Sequence, residues 1–266
     1  MVTRTKTASD AIAQQAQQQA RWQEFLAWVD RHGESRWVYR GLGDSDFPLR
    51  PSVGRKKPYS LVEEQTLLEI FDRRITEYRD SGSLSEWDKL TIAQHHGLPT
   101  RLLDWSSNPL VAAFFAVTSA PGMVMVRRSS AGRARGAEFF AMPDAREVTA
   151  RVVAWRVHAR SVINPTLQPD PFALNEVSFL MPRSLTTRIA SQGGIFSVHP
   201  DPKEDWMEPL AKAEHIFDIP GLMRAYFQQK LFYFGVDRQR IMGDIDGVGA
   251  RLAWQYNASI GLGAVR

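Results

Sequence analysis

A chain of 266 residues with 44% hydrophobic and 23% charged side chains reads as a globular protein long enough for a sizeable core. It has no Cys, which excludes a disulfide scaffold and a thiolate metal site, and no apolar run approaches a membrane span, so no membrane partner is expected. Thirty-three Lys and Arg against 29 Asp and Glu leave a net charge of +4, which permits an acidic partner such as RNA without requiring one.

The N-terminus is polar and rich in Gln, without the pattern of a signal peptide, and the cytoplasm is the expected compartment. Residues 10–29 predict a helix with an apolar set at Ile12, Ala16, Trp22, Phe25, Leu26 and Val29, ended by Gly33. Its first half is weakly apolar and reads as an arm that a partner chain covers, so residues 1–32 are set apart as an N-terminal helical arm, 33–256 as one domain and 257–266 as a tail. A strand follows over residues 36–40, with Trp37 and Tyr39 on one face and Val38 and Arg40 on the other. An Arg on a face with Val is costly unless it meets a carboxylate or a ligand phosphate, and Gly41 beside it lets something approach the backbone. Residues 44–58 form a loop whose Arg50, Arg55, Lys56 and Lys57 suit a nucleic-acid strand or simply a solvated surface. Residues 61–78 read as an amphipathic helix on Leu61, Leu68, Phe71, Ile75 and Tyr78, and Ser85 with Asp88 opens a shorter one that ends near His95 and His96.

The chemistry concentrates between Gln94 and Val117. His95, His96, Thr100, Arg101, Asp104, Trp105, Ser106 and Ser107 crowd around a turn forced by Gly97 and Pro99, just ahead of a helix capped by Asn108 and opened by Pro109. That helix is apolar on every side through Val117 and should be buried, and its start offers N–H groups and a positive dipole end to a phosphate. Each residue also has a plain structural reading: Arg101 and Asp104 as a local pair, the two His in a turn, Trp105 in the core.

Strands are then expected at 123–127, 138–142, 152–157, 186–190 and 194–198, with Gln192 between the last two and Arg127, Arg128, Arg133 and Arg135 in or beside a turn. The chain becomes helical from Trp206, with a strand at 215–219 and a closing helix at 245–256. No Walker sequence, dinucleotide G-x-G-x-x-G fingerprint or H-E-x-x-H motif is present.

The run Gln94-His95-His96-Gly97-Leu98-Pro99-Thr100-Arg101-Leu102-Leu103-Asp104-Trp105, followed by Asn108-Pro109 and an apolar helix, resembles the signature of the FRG domain, a bacterial family named for a Phe-Arg-Gly motif. That motif stands here as Tyr39-Arg40-Gly41, a later Gln-x-Gly-x-Phe as Gln192, Gly194 and Phe196, and a closing segment as Asp244-Ile245-Asp246-Gly247. The resemblance points on to the ADP-ribosyltransferase superfamily and so implies an α+β fold of split antiparallel sheets braced by helices. It implies NAD as substrate, with no metal. Tyr39, Arg40, Gly41, His95, His96, Thr100, Arg101, Asp104 and Trp105 would line the NAD site. The order of segments puts Arg40 on the diphosphate and Asp104 and Ser106 on the nicotinamide ribose, with Gln192 where a Glu is expected. Gln takes no proton, so the general base falls to His95, His96 or Asp104. The acceptor would be RNA or a protein, with Arg50, Arg55, Lys56, Lys57, Arg127 and Arg128 as the nucleic-acid track and Trp105 or Tyr39 stacking a base. The setting implied is that of a toxic effector in an anti-phage toxin–antitoxin system, with a possible antitoxin partner. The alternative is a binding module that recognises a nucleotide or phage component without turnover, and a nuclease is a third reading that lacks a metal-binding carboxylate cluster.

Overall fold

The computed structural model describes residues 2–34, 36–55, 58–78, 84–119, 124–127, 138–141, 146–183, 193–210 and 212–260. The architecture is α+β. Six strands form one antiparallel sheet: β1 (Trp37–Leu42), β2 (Leu102–Ser106), β5 (Ala150–Arg156), β6 (Ser178–Leu180), β7 (Gly194–Val198) and β8 (Ile216–Ile219), in the order β6-β7-β2-β1-β5-β8. Strands β3 (Val124–Arg127) and β4 (Glu138–Ala141) pair separately. The helices among the described residues are α1 (Val2–Arg31), α2 (Leu61–Ile75), α3 (Glu86–His95), α4 (Pro109–Thr118), α5 (Arg224–Tyr233), α6 (Arg238–Met242) and α7 (Ile245–Asn257).

The sheet is weakest at its middle. β1 pairs with β5 at six positions and β2 with β7 at five, but β1 and β2 share one, Tyr39 with Ser106. Beyond that pair the two central strands part, leaving three-stranded halves on either side. α4 lies across the split. A Cβ on Gly41 would stand 2.0 Å from the carbonyl oxygen of Ala112 and 2.5 Å from the amide nitrogen of Ala116, so what Gly41 admits is the backbone of α4. α4 then buries Val111, Ala112, Ala113, Phe114, Ala116 and Val117 together with Tyr39, Val152 and Ala154. Its C-terminal end is held by the buried Arg224 of α5, whose guanidinium donates to the carbonyls of Ala116 and Ser119 at 3.3 Å and to that of Gly43. Cations complement the negative end of a helix, and here the cation also satisfies carbonyls that the helix cannot.

The N-terminal arm divides in two. Residues 10–17 are exposed, whereas Trp22, Phe25 and Trp28 of the same helix are buried against Phe217 and Phe227 in the main core. α2 differs from its expected stripe. Its buried positions are Glu64 and Leu68, while Leu61 and Tyr78 are exposed. The carboxylate of Glu64 takes two hydrogen bonds from Arg101, at 3.0 and 2.8 Å, and one from the Tyr59 hydroxyl at 2.7 Å. Short β2 and β6 are strands that sequence periodicity did not suggest; β2 is buried on both faces except at Asp104, so it shows no alternation. The strand expected at 186–190 lies outside the described residues.

Under the sheet a polar chain runs through the core. The Trp105 indole donates to Ser197 Oγ at 2.8 Å, and Ser197 Oγ lies 2.9 Å from His199 Nε2. Burial, and secondarily the charge of Arg40, push the His199 pKa down to about 3 from 6.5. Between those two values the unfolded chain takes up a proton that the folded one refuses, so folding stability is lost as pH falls through that window. A denaturation series from pH 7 to pH 4 should show this loss in the wild type and a shallower one in His199→Gln. Gly41→Ala should lower stability by about 3 kcal/mol or more, because the methyl meets backbone rather than a side chain that can turn away. Urea titration of both proteins checks it, and an unchanged midpoint would contradict the α4 contact.

Candidate active site

Where β1 and β2 part, a cavity of about 280 Å³ opens between the split and the flank of α4. It is lined by Tyr39, Arg40, Gly41, Gln94, His95, Asp104, Trp105, Ser106, Ala112, Phe115, Ser119, Gly194 and Phe196. The Arg40 side chain, 16% exposed, crosses the gap and donates through Nη1 to the backbone carbonyl of Asp104 at 2.5 Å. It thus occupies a β2 carbonyl at the point where strand pairing fails. The Asp104 carboxylate stands 3.8 Å from the same nitrogen and is 59% exposed.

That carboxylate neutralises Arg40 incompletely. Burial lowers the Arg40 pKa from the guanidinium range, Asp104 opposes the shift, and Arg55 adds to it. Arg55 itself is lowered by desolvation, with Asp104 opposing and Arg50 reinforcing. The loop carrying Arg50 and Arg55 is therefore close enough to be felt at the pocket, with Arg55 fixed by Nε donating to the Arg50 carbonyl at 3.1 Å. A desolvated guanidinium set 3.8 Å from an exposed carboxylate favours a bound anion.

Of the residues expected to form the site, Tyr39, Arg40, Gly41, His95, Asp104, Trp105 and Ser106 come together in the cavity wall. Others do not. Arg101, in the bend just ahead of β2, is 1% exposed, committed to Glu64 and stacked over Phe172. Thr100 is buried and supports the wall from behind, donating to Gln94 at 2.6 Å. His96 is exposed at the C-cap of α3 and does not line the cavity. The start of α4 is not offered to a ligand: Asn108 is exposed, its side chain and carbonyl accept from Leu110, Val111 and Ala112, and Ser106 Oγ accepts from Asn108 N–H at 3.0 Å. The cavity meets the middle of α4 instead, at Ala112, Phe115 and Ser119.

Tyr39 and Trp105 cannot reach out to stack a base. Both are almost wholly buried, with the Tyr39 hydroxyl donating to the His32 carbonyl at 2.8 Å and the Trp105 ring packed on Phe179 and Trp206. Burial pushes the Tyr39 pKa up to about 12. Gln192, Lys56, Lys57, Arg128, Arg133 and Arg135 lie outside the described residues. Arg127 ends β3 in the separate hairpin, opposite Glu138, and its side chain is likewise outside them.

Sequence reasoning passed over Gln94 as a site residue, although its amide donates to Asp104 Oδ2 at 2.9 Å. It stands immediately before the His pair as the first residue of the motif, which was the available signal. Phe115 and Ser119 carry no motif that marks them as lining residues, whereas Gly194 and Phe196 belong to the Gln-x-Gly-x-Phe segment.

Searches of curated proteins and of solved structures find no match to the chain. Residues 35–122, which span β1, α2, α3, β2 and α4 and supply every wall of the cavity except β7, match the family model of the FRG domain, and the chain carries that domain there.

Proposed function

We propose that the protein transfers ADP-ribose from NAD to RNA, acting in the cytoplasm as the toxic effector of an anti-phage toxin–antitoxin system. The reading is carried by one observation: a desolvated, incompletely neutralised Arg40 faces Asp104 across a cavity formed where the antiparallel sheet splits. Two three-stranded halves joined by a single pair also agree with the split-sheet fold that the resemblance to ADP-ribosyltransferases implies. The defence setting and the antitoxin rest on that resemblance alone.

In this reading Arg40 holds the diphosphate, and Asp104 and Ser106 orient the nicotinamide ribose. At about 280 Å³ the cavity is at the small end for ligand sites, so it takes one half of a dinucleotide and leaves the adenosine at the mouth. The ribose C1–nitrogen bond breaks and its electron pair passes to the pyridinium nitrogen, which leaves as neutral nicotinamide. Positive charge grows on the ribose beside the Asp104 carboxylate, which stabilises it. The acceptor oxygen or nitrogen bonds to C1, and its proton goes to His95, the histidine in the wall. Arg50 and Arg55 meet the acceptor's phosphates beside the pocket.

Incubation with labelled NAD and a bacterial extract should place label on material that resists protease and is destroyed by ribonuclease. Arg40→Ala should cut incorporation by at least about tenfold while leaving the circular dichroism spectrum unchanged. Incorporation should fall steeply with salt, and the Arg50→Glu, Arg55→Glu double variant should lower it at low salt, since phosphate contacts release counterions. Label lost to protease would move the acceptor to protein. NAD binding without release of nicotinamide in any extract would replace transfer with a binding module.

A further inference from the structure

The wall of the cavity contains a short hydrogen-bonded relay that fixes the orientation of one amide. Thr100 Oγ1 accepts from the Leu102 N–H at 3.2 Å, so its own single proton is directed elsewhere, and it lies 2.6 Å from Gln94 Oε1. The Asp104 carboxylate can only accept, so the Gln94 atom turned to Thr100 is the amide oxygen and the hydroxyl donates to it. That places the NH₂ end of Gln94 toward β2, where it donates to Asp104 Oδ2 at 2.9 Å. Thr100 is held in turn. Its backbone N–H donates to Ser52 Oγ at 3.1 Å, and its carbonyl accepts from Val53 N–H at 3.3 Å. The relay therefore runs from a buried backbone position to the half-exposed carboxylate at the mouth.

Its effect on Asp104 is specific. Oδ2 is taken by Gln94 and faces Arg40 at 3.8 Å, while the carboxylate as a whole remains 59% exposed beside the cavity. A carboxylate with one oxygen fixed by a neutral donor presents the other in a set direction. Such an oxygen selects a ligand with a hydroxyl at one place.

We infer that Gln94 is a positioning residue which, oriented by Thr100, aims Asp104 Oδ1 at a hydroxyl of the ligand's ribose, so that Asp104 reads the sugar and does not take the acceptor's proton. This rests on the NAD reading above and adds to it the source of ribose selectivity. Arg40 supplies attraction to the anion, which deoxy and ordinary sugars share; the Gln94–Asp104 unit supplies the discrimination between them.

The test uses the full chain and two probes, ADP-ribose and the same molecule lacking the hydroxyls of its distal ribose, with affinities from calorimetry. A hydrogen bond to a charged group is worth about tenfold or more in affinity, so the wild type should prefer ADP-ribose by at least that ratio. Gln94→Ala should bring the ratio close to one by weakening ADP-ribose alone, with the deoxy probe unchanged. Thr100→Val should reduce the ratio in the same direction, and Thr100→Ser, which keeps the hydroxyl, should restore it. A Gln94→Ala protein that loses both probes equally, or a wild type that binds both equally, overturns the inference and leaves the NAD reading standing. A wild type that binds neither probe overturns both. Thermal melts of each variant separate these results from simple unfolding, and Thr100→Ser keeps the question open to measurement if Thr100→Val does not fold.

Discussion

Everything at the site follows from the failure of two central strands to stay paired. β1 and β2 meet at Tyr39 and Ser106 and then diverge, which leaves Asp104 paired with Phe196 of β7 but without a ladder partner on the β1 side. On that side a side chain from β1, Arg40, supplies the hydrogen bond to the Asp104 carbonyl instead. The same divergence makes the cavity. Gly41, the next residue, lets α4 come down onto the strand, so the helix closes one side of the gap that the strands leave open. A cation is thereby held at a cavity wall by a structural requirement, and its charge is available as a consequence.

Two arginines of the domain show how environment sorts residues of one type. Arg101 is the more buried, yet it is matched: two hydrogen bonds to Glu64, a third to Tyr59, and a ring beneath it. Removing one partner from such a pair costs about 3–5 kcal/mol, which identifies it as a pin between α2 and β2. Arg40 has a neutral carbonyl and a carboxylate at 3.8 Å whose own exposure weakens its field. Burial alone would rank Arg101 first as a special residue. Charge balance reverses the ranking.

Much of the scaffold was legible from local chemistry. Asn108 and Pro109 set the start of α4, Ser85 and Asp88 form the capping box that starts α3, and β1, β5, β7 and β8 fall where β-rich runs predict. The misreadings share a cause. Glu64 broke the expected stripe of α2 because a buried charge paired from another element looks like a surface residue in sequence. β2 was hidden because burial on both faces removes alternation, so a split sheet was expected from the resemblance and not from the strand pattern. The site residues were found as a cluster, but their division into wall and support depends on which side chains are taken by partners distant in sequence. Thr100 and Arg101 went to the support because each is committed elsewhere, Thr100 to Gln94 and Ser52 and Arg101 to Glu64. Gln94, read only as the head of the motif, was not marked as a wall residue because a helical amide carries no sign of what it will face.

The dense motif from Gln94 to Trp105 therefore contains two kinds of information in alternation. Thr100, Arg101 and Leu102 fix the backbone: one ties the turn to Ser52, one pins α2, one enters the core beneath α3. Gln94, His95 and Asp104 face the cavity. The supporting residues need not vary when chemistry varies, since they hold a shape, whereas a change at Gln94 or Asp104 alters what that shape accepts. Similarity across the whole motif thus speaks for the split sheet and its cavity. What varies most between wall and support is therefore charge: Arg40 and Asp104 meet at the cavity, with Gln94 fixing one oxygen of the carboxylate.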